Sequence, residues 1–200
     1  MGPDKPVQFI LASASPRRRE LLTKAGYVFE VIVSEIDESD FDPGRTSASQ
    51  YARTAALAKA KAVAAGNPTM LVLGADTVVD CDGQIIGKPT DAKDAERITR
   101  LLFSRPHAVV TGVAVVRICD GTEIAEVDRT VVYPKLLSEK QIAEHIRNGS
   151  WEGKAGAYGI QEGADEFVER IEGSLSNVMG LLMKLTQYLL DKFGSKAEKE

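Results

Sequence analysis

One carboxylate, Asp76, stands inside the otherwise apolar run Leu71-Val72-Leu73-Gly74-Ala75-Asp76-Thr77-Val78-Val79. Burying an ionised carboxylate without a partner is costly, so this residue sits at a strand break, pairs with a cation or holds a metal. Facing a cleft, it has the chemistry to take a proton from water. Gly74 predicts a kink or bulge that turns Asp76 towards a ligand. The second reactive feature is cationic. Leu11-Ala12-Ser13-Ala14-Ser15-Pro16-Arg17-Arg18-Arg19-Glu20-Leu21-Leu22 joins an apolar strand to a helix that opens on three arginines. Ser15 suits the N-cap and Pro16 the first helical position, where a missing N–H is no loss. First-turn arginines oppose the helix dipole, at roughly 0.3–1 kcal/mol each when exposed. An anion at that terminus reverses the balance, because free backbone N–H groups and the donors of Arg17 and Arg18 fit phosphate oxygens. The pattern predicts a polyphosphate cradle.

Further charges fall within reach of these two features. After the turn Asp80-Cys81-Asp82-Gly83, the pair Ile85-Ile86 returns the chain beside the preceding strand and carries Lys88 towards Asp76, as a phosphate clamp or a water-orienting group. Val33-Ser34-Glu35-Ile36-Asp37-Glu38 is an acidic loop, and Lys59 and Lys61 follow it on a helix. Hard oxygen ligands such as Asp76 and Glu38 suit Mg²⁺ or Mn²⁺, the ions a triphosphate needs. In Lys154-Ala155-Gly156-Ala157-Tyr158-Gly159-Ile160-Gln161, small residues permit close backbone approach, an aromatic ring offers a packing face, and Gln161 offers both a donor and an acceptor for a base edge. Gly173-Ser174-Leu175-Ser176-Asn177-Val178 reads as a turn with an N-cap. His107 and His145 are isolated from any Cys or His cluster, and Trp151 reads as packing over its loop. Neither a Walker loop nor a nucleophile elbow occurs.

The elements that must position these residues alternate. Strand-like segments fall at about 7–12, 28–33, 70–80, 108–119, 123–134 and 166–172, and helical ones at about 16–25, 47–65, 91–103, 139–148 and 176–193. An antiparallel pair joined through Asp120-Gly121 argues for an α/β protein with a mixed sheet. Ser138 with Gln141 forms a capping box, and Gly149 ends that helix. The 200 residues fit one domain over 1–194 with a polar, frayed tail at 195–200. A net charge of −4 disfavours a duplex nucleic-acid binder and leaves a small phosphorylated ligand. Cys81 and Cys119 match no metal or redox spacing and read as reduced thiols. With no signal peptide and no apolar run near membrane-spanning length, the expected compartment is the cytoplasm.

Five segments in this order, Ser13-Ala14-Ser15-Pro16-Arg17-Arg18, Gly74-Ala75-Asp76-Thr77, Gly87-Lys88-Pro89, the run 154–161 and the run 173–180, together resemble the Maf family of nucleoside triphosphate pyrophosphatases over about residues 7–190. The resemblance implies an elongated, two-lobed α/β fold of the inosine-triphosphatase type with a central cleft, often as a homodimer. It also implies a divalent cofactor, Mg²⁺, Mn²⁺ or Co²⁺. Carried over by position, Asp76 accepts the proton of the attacking water and Glu38 is the metal-binding acid. Lys59 and Lys88 handle phosphate, while Ser13, Arg17 and Arg18 form the phosphate-binding turn. The family's thymidine and uridine subgroup carries Arg, Thr and Gln at three specificity positions, and Arg17, Thr77 and Gln161 stand there in this chain. The chain departs from the family at Gly180-Leu181-Leu182, where Gly-Leu-Pro is usual, and in the loop around Glu35 to Glu38, where Glu35 and Asp37 are alternatives to Glu38 as the metal ligand. What is implied is hydrolysis of dTTP, UTP and modified pyrimidine nucleotides to monophosphate and pyrophosphate. Two other functions fit less of the pattern. A nucleotide-binding regulator of cell division does not require the full set Glu38, Lys59, Asp76 and Lys88, and a 7-methyl-GTP or purine pyrophosphatase is opposed by Arg17, Thr77 and Gln161.

Overall fold

Strand β1 (Phe9–Ala12) is buried on both faces, with Phe9 and Leu11 on one side and Ile10 and Ala12 on the other, which places it inside a sheet. The computed structural model, which describes residues 6–36, 41, 46–160, 167–195 and 197, bears this out. β1 lies between β2 (Phe29–Val31) and β3 (Val72–Cys81), parallel to both. Beyond β3 the sheet continues antiparallel through β5 (His107–Arg117), β6 (Thr122–Pro134) and β7 (Val168–Glu172), while β4 (Gln84–Ile86) hairpins back onto β3. Seven strands thus form the expected mixed sheet.

The pairing of β3 leaves one opening. β5 runs beside it from Val72 to Asp80 on one side. On the other side β1 pairs only with 72–74 and β4 only with 79–81, so among the described residues no strand borders 75–78 on that side. Asp76 and Thr77 fall in that gap, just beyond the carboxyl end of a parallel strand, where α/β sheets characteristically take ligands.

Helix α2 (Ala48–Gly66) covers one face of the sheet through Ala52, Ala56 and Ala60. The other face is covered by α1 (Pro16–Lys24), α3 (Ala92–Leu102), α4 (Glu139–Arg147), the short α5 (Leu175–Val178) and α6 (Met183–Lys192). The small side chains let α2 lie with its backbone against the strands. A Cβ on Gly74 would stand 2.3 Å from the Ala56 carbonyl oxygen, and one on Gly112 would stand 2.2 Å from that of Ala52. This corrects the expected bulge at Gly74: β3 pairs with β5 without irregularity, and the glycine makes room for a helix.

The expected caps form at Ser15, at Ser138 with its box to Gln141, and at Ser174. The single helix expected over 176–193 instead breaks into α5 and α6. Gly180 has φ +107°, outside any helix, and the Met183 N–H that opens α6 donates to the Ser176 hydroxyl at 3.1 Å. The start of the tail is not loose, since Ser195 is buried and its hydroxyl donates to the Gln8 carbonyl at 3.2 Å. Both cysteines are free thiols, and among the described residues no helix is long and apolar enough to cross a membrane.

Candidate active site

A cavity of about 680 Å³ opens along the exposed edge of β3. Ser13, Arg17, Arg18, Lys59, Asp76, Thr77 and Lys88 all line it, so every described candidate from four separate segments reaches one space. Glu38 and Gln161 lie outside the described residues. Side chains alternate along β3, which divides the site in two. Asp76 belongs with Gly74 and Val78 on the α2 face; Thr77 belongs with Ala75 and Val79 on the face of α5 and α6.

On the α2 face, Asp76 Oδ1 accepts from Lys59 Nζ at 2.6 Å, with the two residues 7% and 8% exposed. The close seat of Ala56 and Ala60 over Gly74 carries Lys59 to the strand edge. The pair answers the desolvation problem posed by a carboxylate in an apolar strand. Lys88 reaches the same cavity from beyond β4 as an exposed side chain.

Ser13 and Arg18 form the joint between the two faces. Ser13 Oγ accepts from the Ser15 N–H at 3.2 Å and from Arg18 Nη1 at 3.0 Å. With two donors on its oxygen, that hydroxyl has its proton left to give, which suits a phosphate oxygen. Arg18 is buried, and its guanidinium also donates to the carbonyls of Gly180 (2.7 Å) and Ala75 (2.8 Å) and to Thr77 Oγ1 (3.1 Å). Through these bonds Arg18, which also lines the cavity, ties α1 to β3 and to the turn between α5 and α6.

Arg17 is the arginine that presents its charge. It makes no hydrogen bond or ion pair to the described residues, and burial lowers its pKa. Its Nη1 and the Lys154 side chain pack across Gly159, where a Cβ would stand 3.0 Å from the first and 3.1 Å from Lys154 Cδ. Lys154 also lines the cavity and donates to the Ser150 carbonyl; burial and then the charge of Arg17 push its pKa down. Two cations held side by side favour an electron-rich ligand. The sequence reading used the glycines and glutamine of that segment but missed Lys154, whose only signal was its proximity to them.

Tyr158 also lines the cavity. It is buried edge-on against Phe103, and its hydroxyl donates to His107 Nε2 at 2.6 Å. His107 carries its proton on Nδ1, which points at the carbonyls of Leu102 and Arg105. Both histidines are structural, since His145 Nε2 bonds the Ala157 carbonyl at 2.8 Å. Burial holds His107 below its ordinary 6.5. The unfolded chain therefore takes up a proton that the folded chain refuses, and stability falls as pH drops through the unfolded value towards the lowered one. Urea titrations between about pH 8 and about pH 5 should show that fall, and His107→Gln should flatten it.

Among the described residues no three His, Cys, Asp or Glu side chains gather as a ready metal cage. Asp76 with the oxygens of a bound triphosphate nevertheless fits the habit of Mg²⁺, which uses one or two carboxylates plus substrate phosphates.

The fold and cleft define an α/β protein built to receive an anionic ligand at the open edge of its central strand. The family model described as Maf-like protein matches residues 8–193, and the chain belongs to that family. Among curated relatives, the dTTP/UTP pyrophosphatase of Geotalea uraniireducens is 49% identical over 173 residues, covering 86% of this chain and 88% of its own. That of Moorella thermoacetica is 46% identical over 187 residues, covering 94% and 95%, and that of Photobacterium profundum is 42% identical over 194 residues, covering 94% and 97%.

Proposed function

We propose that this protein hydrolyses dTTP, UTP and related modified pyrimidine nucleotides to the monophosphate and pyrophosphate. The observation that carries the reading is the buried Asp76–Lys59 pair at the open strand edge, beside a hydroxyl with a proton to give and the cationic start of α1. The names of the curated relatives support the choice of nucleotides. In the reaction, Asp76 accepts a proton from water as its oxygen bonds to the α-phosphorus. The bond from that phosphorus to the oxygen bridging the β-phosphate breaks, and its electron pair leaves with pyrophosphate. Lys59 holds the carboxylate in place, and Ser13, Lys88 and the α1 N-terminus hold the phosphates. A divalent cation, Mg²⁺, Mn²⁺ or Co²⁺, held by Asp76 and Glu38 would neutralise phosphate charge. The same reading makes the enzyme cytoplasmic, acting on free nucleotides rather than on nucleic acid or at a membrane.

Pyrophosphate release from a panel of pyrimidine and purine triphosphates, with each metal in turn, tests the reading. Preference for GTP or 7-methyl-GTP, or no release at all, would overturn it. Gln161 belongs to the proposed base site together with Arg17 and Thr77. Its amide can donate and accept, whereas a carboxylate only accepts and faces O4 with like polarity. Gln161→Glu should therefore lower the UTP to GTP ratio of kcat/KM by at least about tenfold, within the range that hydrogen-bonded sites discriminate. An unchanged ratio removes Gln161 from base selection.

A further inference from the structure

We infer that Thr111, one strand away from the cavity lining, is a positioning residue for base selection: it draws the hydroxyl proton of Thr77 inwards, so that Thr77 meets the base as an acceptor and selects the N3–H of uracil and thymine over the N3 lone pair of cytosine. The inference rests on the pyrophosphatase reading and deepens it.

The direction of the proton follows from a chain of bonds. Thr111 faces Thr77 in the β3–β5 register and is fully buried. Its hydroxyl donates to the Asn177 carbonyl at 3.0 Å. Asn177 is itself immobilised, because Nδ2 donates to the Val109 carbonyl at 3.1 Å and to Thr130 Oγ1 at 2.9 Å. A carbonyl only accepts and a hydroxyl has one proton, so that proton is taken. Across the 2.9 Å contact between Thr111 Oγ1 and Thr77 Oγ1, Thr77 must then be the donor. The remaining neighbours of Thr77 agree. Arg18 Nη2 can only donate to it, and the Gly180 carbonyl, at 3.4 Å, is one more inward acceptor. Thr77 is half-buried on the cavity wall with one lone pair left to offer. Ser13 is its converse, with lone pairs engaged and a proton to give.

The alternation of β3 says which part of a nucleotide meets each hydroxyl. Asp76 occupies the α2 face and Thr77 the opposite face, where Arg17 and Lys154 cross Gly159. A nucleotide laid across the open edge with its α-phosphate at Asp76 puts its base on the Thr77 side. Uracil and thymine present N3–H there, and cytosine presents a lone pair that an acceptor repels.

The test compares kcat/KM for UTP and CTP in wild type, Thr111→Val, which keeps the shape and loses the hydroxyl, and Thr111→Ser, which restores it. The Val variant should lose about tenfold in the UTP to CTP ratio, the scale of one hydrogen-bond mismatch, while the Ser variant stays within about twofold of wild type. A purely structural Thr111 would lower both substrates alike, and that result overturns the inference. If the Val variant fails to fold, Thr111→Ala removes the same oxygen without crowding and is held to the same ratio. Hydrolysis with an unchanged ratio overturns the role of Thr111 alone; absence of hydrolysis by wild type overturns the pyrophosphatase reading and this inference with it.

Discussion

Replacing Asp76 by Asn is expected to lower the rate of pyrophosphate release by roughly 10²- to 10⁴-fold, the usual contribution of a positioned base. The amide keeps the size of the carboxylate and loses its capacity to take a proton. It also breaks the buried ion pair in which Lys59 Nζ, on α2, meets Asp76 Oδ1 at 2.6 Å. Breaking a buried pair by removing one partner costs about 3–5 kcal/mol of stability, so the loss of rate must be read on folded protein. Nucleotide binding by calorimetry and a melting curve with saturating nucleotide supply that control. Ser13, Arg17 and the α1 N-terminus are untouched, and affinity for triphosphate should survive. Near-wild-type turnover by the folded variant would sink the assignment of Asp76.

The second large effect concerns a residue with no chemistry of its own. Gly112→Ala places a methyl 2.2 Å from the Ala52 carbonyl oxygen and 2.5 Å from its carbon, and neither belongs to a side chain that can swing away. Helix α2 must lift from the sheet. Overpacking of this kind typically costs 1–3 kcal/mol and occasionally more, and a backbone obstacle puts Gly112 at the upper end, near 3 kcal/mol. For a chain of this length that corresponds to a fall in Tm of about 6–12 °C. Because α2 also carries Lys59 to Asp76, turnover should fall below the melting transition as well. Gly66→Ala, at a helix position where an added methyl meets nothing within 4 Å, is the matched control and should leave Tm and turnover near wild type. Equal melting temperatures for the two variants would show that α2 does not depend on the close approach.

What could be read along the chain was local or periodic. Ser15, Ser138 and Ser174 cap helices because their hydroxyls meet N–H groups three residues on, a relation contained in a few adjacent letters. The Asp82-Gly83 turn and the apolar pair that follows it specify the β3–β4 hairpin for the same reason, with Asp82 at φ 52° and Gly83 at φ 82°. Asp76 stood out because a carboxylate breaks an apolar strand, and the start of α1 because arginines replace the acids a helix start prefers. The Lys-Ala-Gly segment at 154–156 hid its structural half: Gly156 has φ +74° and donates its N–H to the Gly87 carbonyl at 2.9 Å, and neither feature is marked in the sequence.

The strands and most helices, the hairpin, the odd carboxylate and the cationic helix start were thus legible along the chain, because each is set by forces acting within one turn or one strand. Long-range packing settled which cation Asp76 would hold, that Arg18 would engage protein carbonyls, that Gly74 would make room for a helix, and that Gly180 would divide the last helix. These outcomes depend on how closely two backbones approach. That distance is set jointly by Gly74 and Gly112 on the strands and by Ala52, Ala56 and Ala60 on α2, residues far apart in the chain whose small size carries no message until they meet.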